Sequence, residues 1–251
     1  MITSFYALYI RPAASVLGKA FRRVSRKLRN KTNTHEQSTR LQTIGWRELS
    51  SFKLPRKLVE TDKRNGNVSL QELAVLSGLA AGIHSGTIVE IGTFDGRTTL
   101  NMALNSGDDV SIFTLDLPSD METAMDVDEG ETAFINKPAS GARFTGEPGS
   151  SFPQSKKITQ LLGDSATFNW GPHESRANLI FVDGSHAYEY AKADTESSLK
   201  MLASGGTIVW HDYGVWEGVT QALEELQENS DMSLRHVRGT SLVIYQDSAS
   251  T

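Results

Sequence analysis

Cysteine is absent from the 251-residue sequence. That excludes disulfides, thiolate nucleophiles and cysteine-bound metals together, and it is compatible with a reducing compartment. No apolar run reaches the roughly 18 residues of a membrane-spanning helix. Proline is scarce, at 7 residues, and the 21 glycines follow no short period, so a collagen-like or proline-rich fibre is excluded. What the chain does contain is enough to fold. Its 38% hydrophobic and 22% charged residues in 27.5 kDa predict a soluble globular protein with one large domain.

Basic residues are in short supply except at the N-terminus. The formal net charge is −5, yet residues 1–40 carry nine arginines and lysines against Glu36 alone, so the arm stands at +8 and the rest of the chain at −13. No nucleic acid is expected as a partner of so acidic a body, because phosphate contacts need a basic surface. The opening MITSFYALYI has no basic stretch before it and contains Thr3 and Ser4, so it is not read as a secretory signal. From Pro12 onward, Val16, Leu17, Ala20, Phe21, Val24 and Leu28 recur at helical spacing, with Arg22, Arg23, Arg26 and Lys27 mainly on other faces. This basic amphipathic pattern suits an anionic lipid surface. It suits packing on the domain or on a second subunit better still, which leaves a homo-oligomer open. The predicted organisation is an arm and tether over 1–45 and one domain over 46–251, in a cytoplasmic protein that is peripheral to the membrane if the arm binds lipid.

Five short apolar runs follow a helical stretch near 69–83: TIVEI (87–91), VSIFTL (110–115), ITQLL (158–162), NLIFV (178–182) and TIVWH (207–211). Such runs suit strands buried on both faces of a parallel sheet, and their alternation with helical segments predicts a doubly wound α/β fold. Ser69 and Glu72 stand at capping-box spacing, with Val68 and Leu73 placed for a hydrophobic staple. A later helix carries Tyr188, Ala191, Thr195, Leu199 and Leu202 and is expected to end near Gly205 and Gly206. Another carries Val219, Ala222, Leu223 and Leu226. SLRHV, Gly239 and SLVIYQ read as an antiparallel hairpin at one sheet edge.

Ligands of doubly wound sheets bind beyond the carboxyl ends of the strands, and here each end is acidic. Glu90, Asp116, Asp164, Asp183 and Asp212 follow in order. The first loop, EIGTFDGRTT, places Gly92 at the strand exit and Gly96 at the helix entrance, where a missing side chain lets a ligand approach the backbone. A dinucleotide fingerprint would require glycine at 90, 92 and 95. The chain has Glu90, Gly92 and Asp95, and a pyrophosphate would meet two acids.

An acid, a glycine two residues on and a second glycine after a short loop resemble the first motif of the class I S-adenosylmethionine-dependent methyltransferases. Here that motif is Glu90, Gly92 and Gly96. The resemblance covers residues 67–246 and implies a Rossmann-like methyltransferase sheet, mostly parallel with a C-terminal antiparallel hairpin. It implies S-adenosylmethionine as cofactor, with Asp116 on the ribose hydroxyls and Asp164 on the purine amine. FVDGSHAYEY and GGTIVWHDYG are similar to a bacterial subgroup of small-molecule O-methyltransferases that includes macrocin O-methyltransferase and cephalosporin hydroxylase-type proteins.

Methyl transfer from a sulfonium needs alignment of an acceptor and removal of its proton. Asp183 and His186 share one loop and His211 and Asp212 another, which makes them the expected catalytic floor, with His211 or His186 as general base. Catechol-type methyltransferases hold a divalent metal with an Asp after strand four and an Asp-Asn pair after strand five. Asp183 and Asp212 match that pattern, but Tyr213 replaces the Asn, so the need for a metal such as magnesium and its third ligand stay open. The long segment from Leu117 to Lys157 is expected to be a lid over a small-molecule acceptor, or else a connecting helix and surface loop. Trp210 and Trp216 flank the floor. On sequence, a nicotinamide-dependent oxidoreductase and a non-catalytic binding module that keeps the fold stand as alternatives to an enzyme methylating a hydroxyl of a sugar, glycolipid or secondary metabolite.

Overall fold

A computed structural model describes residues 41–62, 65–131 and 140–248. The amphipathic arm expected before residue 41 lies outside them. Eight strands form one sheet, β1 (Gln42–Ile44), β2 (Ser85–Ile91), β3 (Asp109–Asp116), β4 (Ile158–Leu162), β5 (Ala177–Val182), β6 (Leu202–Trp210), β7 (Arg235–Val237) and β8 (Val243–Gln246), in the order β1-β7-β8-β6-β5-β2-β3-β4. Between them run α1 (Leu70–Ala81), α2 (Arg97–Asn105), the single turn α3 (Ala142–Thr145), α4 (Tyr188–Met201) and α5 (Glu217–Asn229). Strands β2 to β6 pair in parallel, while β8 runs antiparallel to both β6 and β7.

The apolar runs behave as double-sided strands. Ile88 of β2 packs with Leu73, Leu76 and Met102 on the α1/α2 face, while Val89 and Ile91 pack with Ala191, Val219 and Leu223 on the α4/α5 face. Burial of these side chains on both faces supplies the main favourable term of the fold. The capping box at the head of α1 forms as expected. The Glu72 N–H donates to Ser69 Oγ at 3.3 Å, and the Ser69 N–H donates to Glu72 Oε2 at 2.7 Å.

Three features differ from the sequence expectation. Gln42–Ile44, assigned to the tether, is a strand paired in parallel with β7, so the sheet edge is β1 and the C-terminal hairpin lies one strand inside it. Three residues of mixed polarity carry too little periodicity to be recognised without their partner. Helix α4 stops at Met201, and Gly205 and Gly206 lie inside β6 instead of capping the helix. A Cβ on Gly206 would stand 2.9 Å from the Ala177 carbonyl oxygen, so close strand approach is what requires glycine there.

Candidate functional site

A cleft of about 380 Å³ opens at the carboxyl ends of β2, β3, β5 and β6, where β3 and β4 continue the sheet to one side of β2 and β5 and β6 to the other. This is the switch point at which doubly wound sheets leave a crevice. Gly92 lines it with φ +96°, and a Cβ there would fall 1.9 Å from the Asp183 carbonyl oxygen. Only glycine fits. Asp116, the last residue of β3, and Asp164, two residues past β4, also line the cleft, as do Asp183, His186, His211 and Asp212.

Two of the expected cofactor residues stand outside the lining. Gly96 is the left-handed N-cap of α2, with φ +84°, and a Cβ on it would lie 2.6 Å from the Phe144 ring. Helix entry and packing both call for glycine there. Glu90 is buried against α2 and β3, where Thr114 Oγ1 donates to its Oε2 at 2.6 Å and Thr99 Oγ1 donates to the same oxygen. Burial pushes the Glu90 carboxyl up to about 8, although the two threonine bonds pull the other way, so it is largely protonated at neutral pH.

Asp164 is more engaged than a purine contact alone requires. Its Oδ2 accepts from the Ala124 N–H at 2.7 Å and the Tyr190 hydroxyl at 2.6 Å, while Oδ1 accepts from the Ala166 N–H at 2.8 Å. It therefore ties the segment after β3 to α4. That segment forms one wall of the cleft through Leu117, Thr123, Val127 and Glu131, as a lid would.

The expected catalytic floor is a chain of carboxylates bridged by imidazoles. His211 Nδ1 lies 3.0 Å from Asp183 Oδ1 and 3.2 Å from Asp212 Oδ2, and its Nε2 lies 3.3 Å from Glu72 Oε2. His186 Nε2 lies 2.7 Å from Asp212 Oδ2, and its Nδ1 lies 2.8 Å from Glu131 Oε1. The His186 ring stacks on Trp216, with centroids 4.4 Å apart and planes 9° from parallel. Trp210 is buried in β6, where its indole N–H donates to Thr195.

A histidine base needs a neutral ring, and these contacts favour the protonated one. Burial alone would lower the His186 pKa, but its bonds to Asp212 and Glu131 outweigh that and hold it at about 9. Burial is likewise overcome at His211, where Asp183, Asp212 and Glu72 push the pKa well above the ordinary value. Both rings are therefore held towards the imidazolium form, which has no lone pair for an incoming proton. They reciprocate on their partners. Burial would raise Glu72, Glu131 and Asp212, yet the imidazoles hold all three below the usual carboxylate range.

Asp183, His186 and Asp212 each bring one ligand atom within 4.8 Å of the others. A histidine and two carboxylates form a donor set suited to a divalent cation. Tyr213, which stands where the Asn of a metal triad would be, donates its hydroxyl to Glu224 of α5. His186 could take the third position only with its ring proton displaced.

Sequence reasoning missed Glu131 and Tyr190 as cleft groups and Glu72 as a partner of His211. Glu72 was legible only as a cap, although its Oε1 also accepts from Ser241 N–H and Oγ. Glu131 was one of six acids between Asp120 and Glu131, and nothing in the spacing set it apart.

Residues 89–213 match the model of a family described as a methyltransferase domain. No curated protein sequence matches the chain. Among solved structures, the O-methyltransferase TomG from Streptomyces achromogenes, in complex with S-adenosylmethionine, is 15% identical at a TM-score of 0.51, covering 76% of this chain and 93% of its own. The methyltransferase PaMTH1 from Podospora anserina, bound to S-adenosylhomocysteine, is 14% identical at 0.53 and covers 97% and 100%. A Corynebacterium glutamicum protein is 16% identical at 0.54 and covers 92% and 99%. At these identities the likeness establishes the fold, and the family match adds the domain. The sheet order, the glycine at the switch point and the family match agree: residues 89–213 form a methyltransferase domain on a Rossmann-like sheet.

Proposed function

We propose that this protein transfers a methyl group from S-adenosylmethionine to a hydroxyl of a small molecule such as a sugar, a glycolipid or a secondary metabolite. The observation that carries the reading is the pairing across one crevice of a side-chain-free backbone at Gly92 with the carboxylate of Asp116 on one flank and the Asp183/Asp212 cluster on the other. The residues fit the cofactor. Asp116 offers two oxygens to a ribose diol, and an acid-lined cleft favours a sulfonium over a pyrophosphate. The ligands in the TomG and PaMTH1 structures support the same choice.

The acceptor hydroxyl is aligned by the floor and gives up its proton to the carboxylates, with Asp183 and Asp212 as the receiving groups. The two rings hold the Asp212 pKa below the usual carboxylate range and orient both acids. Asp183, His186 and Asp212 would hold a divalent cation, and such an ion supplies positive charge that eases ionisation of a bound hydroxyl. Trp216 offers a flat apolar face at the same end of the cleft. The cysteine-free composition supports a cytoplasmic enzyme, and the basic amphipathic pattern of residues 12–28 supports contact with an anionic membrane. No helix of the described residues is long and apolar enough to cross a membrane.

Calorimetry with S-adenosylhomocysteine tests the core of the reading: saturable binding by the full chain is expected, and its absence at millimolar ligand overturns it. Mass spectrometry of ligand retained through purification would then identify the acceptor.

A further inference from the structure

Glu131 is the least expected residue in the cleft. The segment that carries it has neither helix nor strand from Leu117 to Glu131, yet this carboxylate is only 3% exposed. An ionised acid in an irregular loop is buried only where donors replace its water. Here every donor belongs to the loop after β5. Ser185 Oγ donates to Oε2 at 2.7 Å, the His186 backbone N–H donates to Oε1, and His186 Nδ1 lies 2.8 Å from that same oxygen. With Nδ1 turned to Glu131, Nε2 faces Asp212, and Trp216 lies flat against the ring. Gly130 completes the contact, since a Cβ there would reach to 2.7 Å of the Trp216 ring.

We propose that Glu131 is a positioning residue of the active site, carried in by the segment after β3 to fix the orientation of the His186 ring. The inference rests on the methyltransferase reading for the purpose of the ring, and on the contacts above for its geometry. It has a consequence for the order of assembly. The same segment donates its Ala124 N–H to Asp164 at the other end of the cleft, so one stretch of chain touches the acid assigned to the purine and the imidazole assigned to the floor. The catalytic end is complete only when that stretch lies across the cleft.

The test is selective histidine NMR on the full chain, with the His186 signals assigned by their loss in His186→Gln. Stacking on Trp216 shifts the ring protons of His186 upfield. In Glu131→Ala that shift is expected to collapse, while Glu131→Gln, whose amide oxygen can stand where Oε1 lies beside Nδ1, retains most of it. Affinity for S-adenosylhomocysteine is expected to stay within about threefold of wild type in both, since Glu131 lies away from the ribose and purine groups. A role confined to stapling the loop would leave the stacking shift unchanged in Glu131→Ala, and that result overturns the proposal, as does equal loss in the Ala and Gln variants. Should Glu131→Ala fail to fold, Ser185→Ala replaces it. Removing that one bond is expected to weaken the shift in part, and an unaltered shift counts against the proposal. Absent binding of S-adenosylhomocysteine by wild type, with the ring shifts still dependent on Glu131, would remove the methyltransferase reading and leave the positioning intact.

Discussion

The backbones of Gly92 and Asp183 meet at the point where β2 and β5 part, so closely that a Cβ on Gly92 would lie 1.9 Å from the Asp183 carbonyl oxygen. The loops that follow β2 and β5 are thus one packed unit. Gly92→Ala adds a clash to a left-handed backbone that costs an L-residue about 1–2 kcal/mol. The variant is expected to melt at lower temperature and to lose S-adenosylhomocysteine binding. Differential scanning fluorimetry with and without the ligand checks both.

Asp116→Ala removes the carboxylate that ends β3 in the cleft. Hydrogen bonds to a charged group contribute about 1.5–3 kcal/mol, so calorimetry should find affinity for S-adenosylhomocysteine reduced by at least tenfold. Unchanged affinity would remove Asp116 from the ribose site.

Glu90 makes stability depend on pH in a defined direction. Its folded pKa, about 8, exceeds the ordinary 4.5, so the folded state holds the proton more tightly than the unfolded chain. The stabilisation from the neutral acid is complete below pH 4.5, falls as pH rises towards 8, and is gone above that. Glu90→Gln keeps an acceptor for Thr99 and Thr114 and carries no charge. Urea titrations across this range should show a flatter stability profile for the variant, with the gain over wild type largest at high pH.

His186 acts in an overlapping window for a different reason. Its folded pKa of about 9 exceeds the ordinary 6.5, so the stability it contributes is full below 6.5 and is lost as pH rises through 9. In metal-free protein its ring should titrate by NMR near the upper value. In Asp212→Asn the midpoint should move down, since the first of the bonds holding the proton is gone.

A divalent cation at Asp183, His186 and Asp212 would stabilise the fold by mass action, by about 2.7 kcal/mol at a hundredfold excess over Kd. Magnesium or manganese is therefore expected to raise the melting temperature of wild type and leave Asp183→Asn and Asp212→Asn unmoved. Equal shifts in all three would place the ion elsewhere.

Much of the fold was legible because strands covered on both faces are apolar at nearly every position, as TIVEI and NLIFV are, and because Ser69 and Glu72 announce a helix start by local chemistry alone. Strand β1 was not, because Gln42–Ile44 becomes a strand only by pairing with residues near the other end of the chain. In the site, Gly92, Asp116, Asp164, Asp183, His186, His211 and Asp212 were legible from their places at strand ends, and the structure brings all seven to one cleft. Gly96 and Glu90 came from the same motif but face Phe144 and the threonines of α2 and β3.

By itself, the sequence determined which residues stand at the carboxyl ends of the central strands and where the backbone is bare, since both follow from order along the chain. The tertiary structure alone decided their charge. Glu72 from a helix cap, Glu131 from an irregular segment and Asp183 and Asp212 from two strand ends converge on two imidazoles. Proton affinity is set by distance and burial between groups far apart in sequence, so how firmly each ring holds a proton depends on contacts that sequence order does not show.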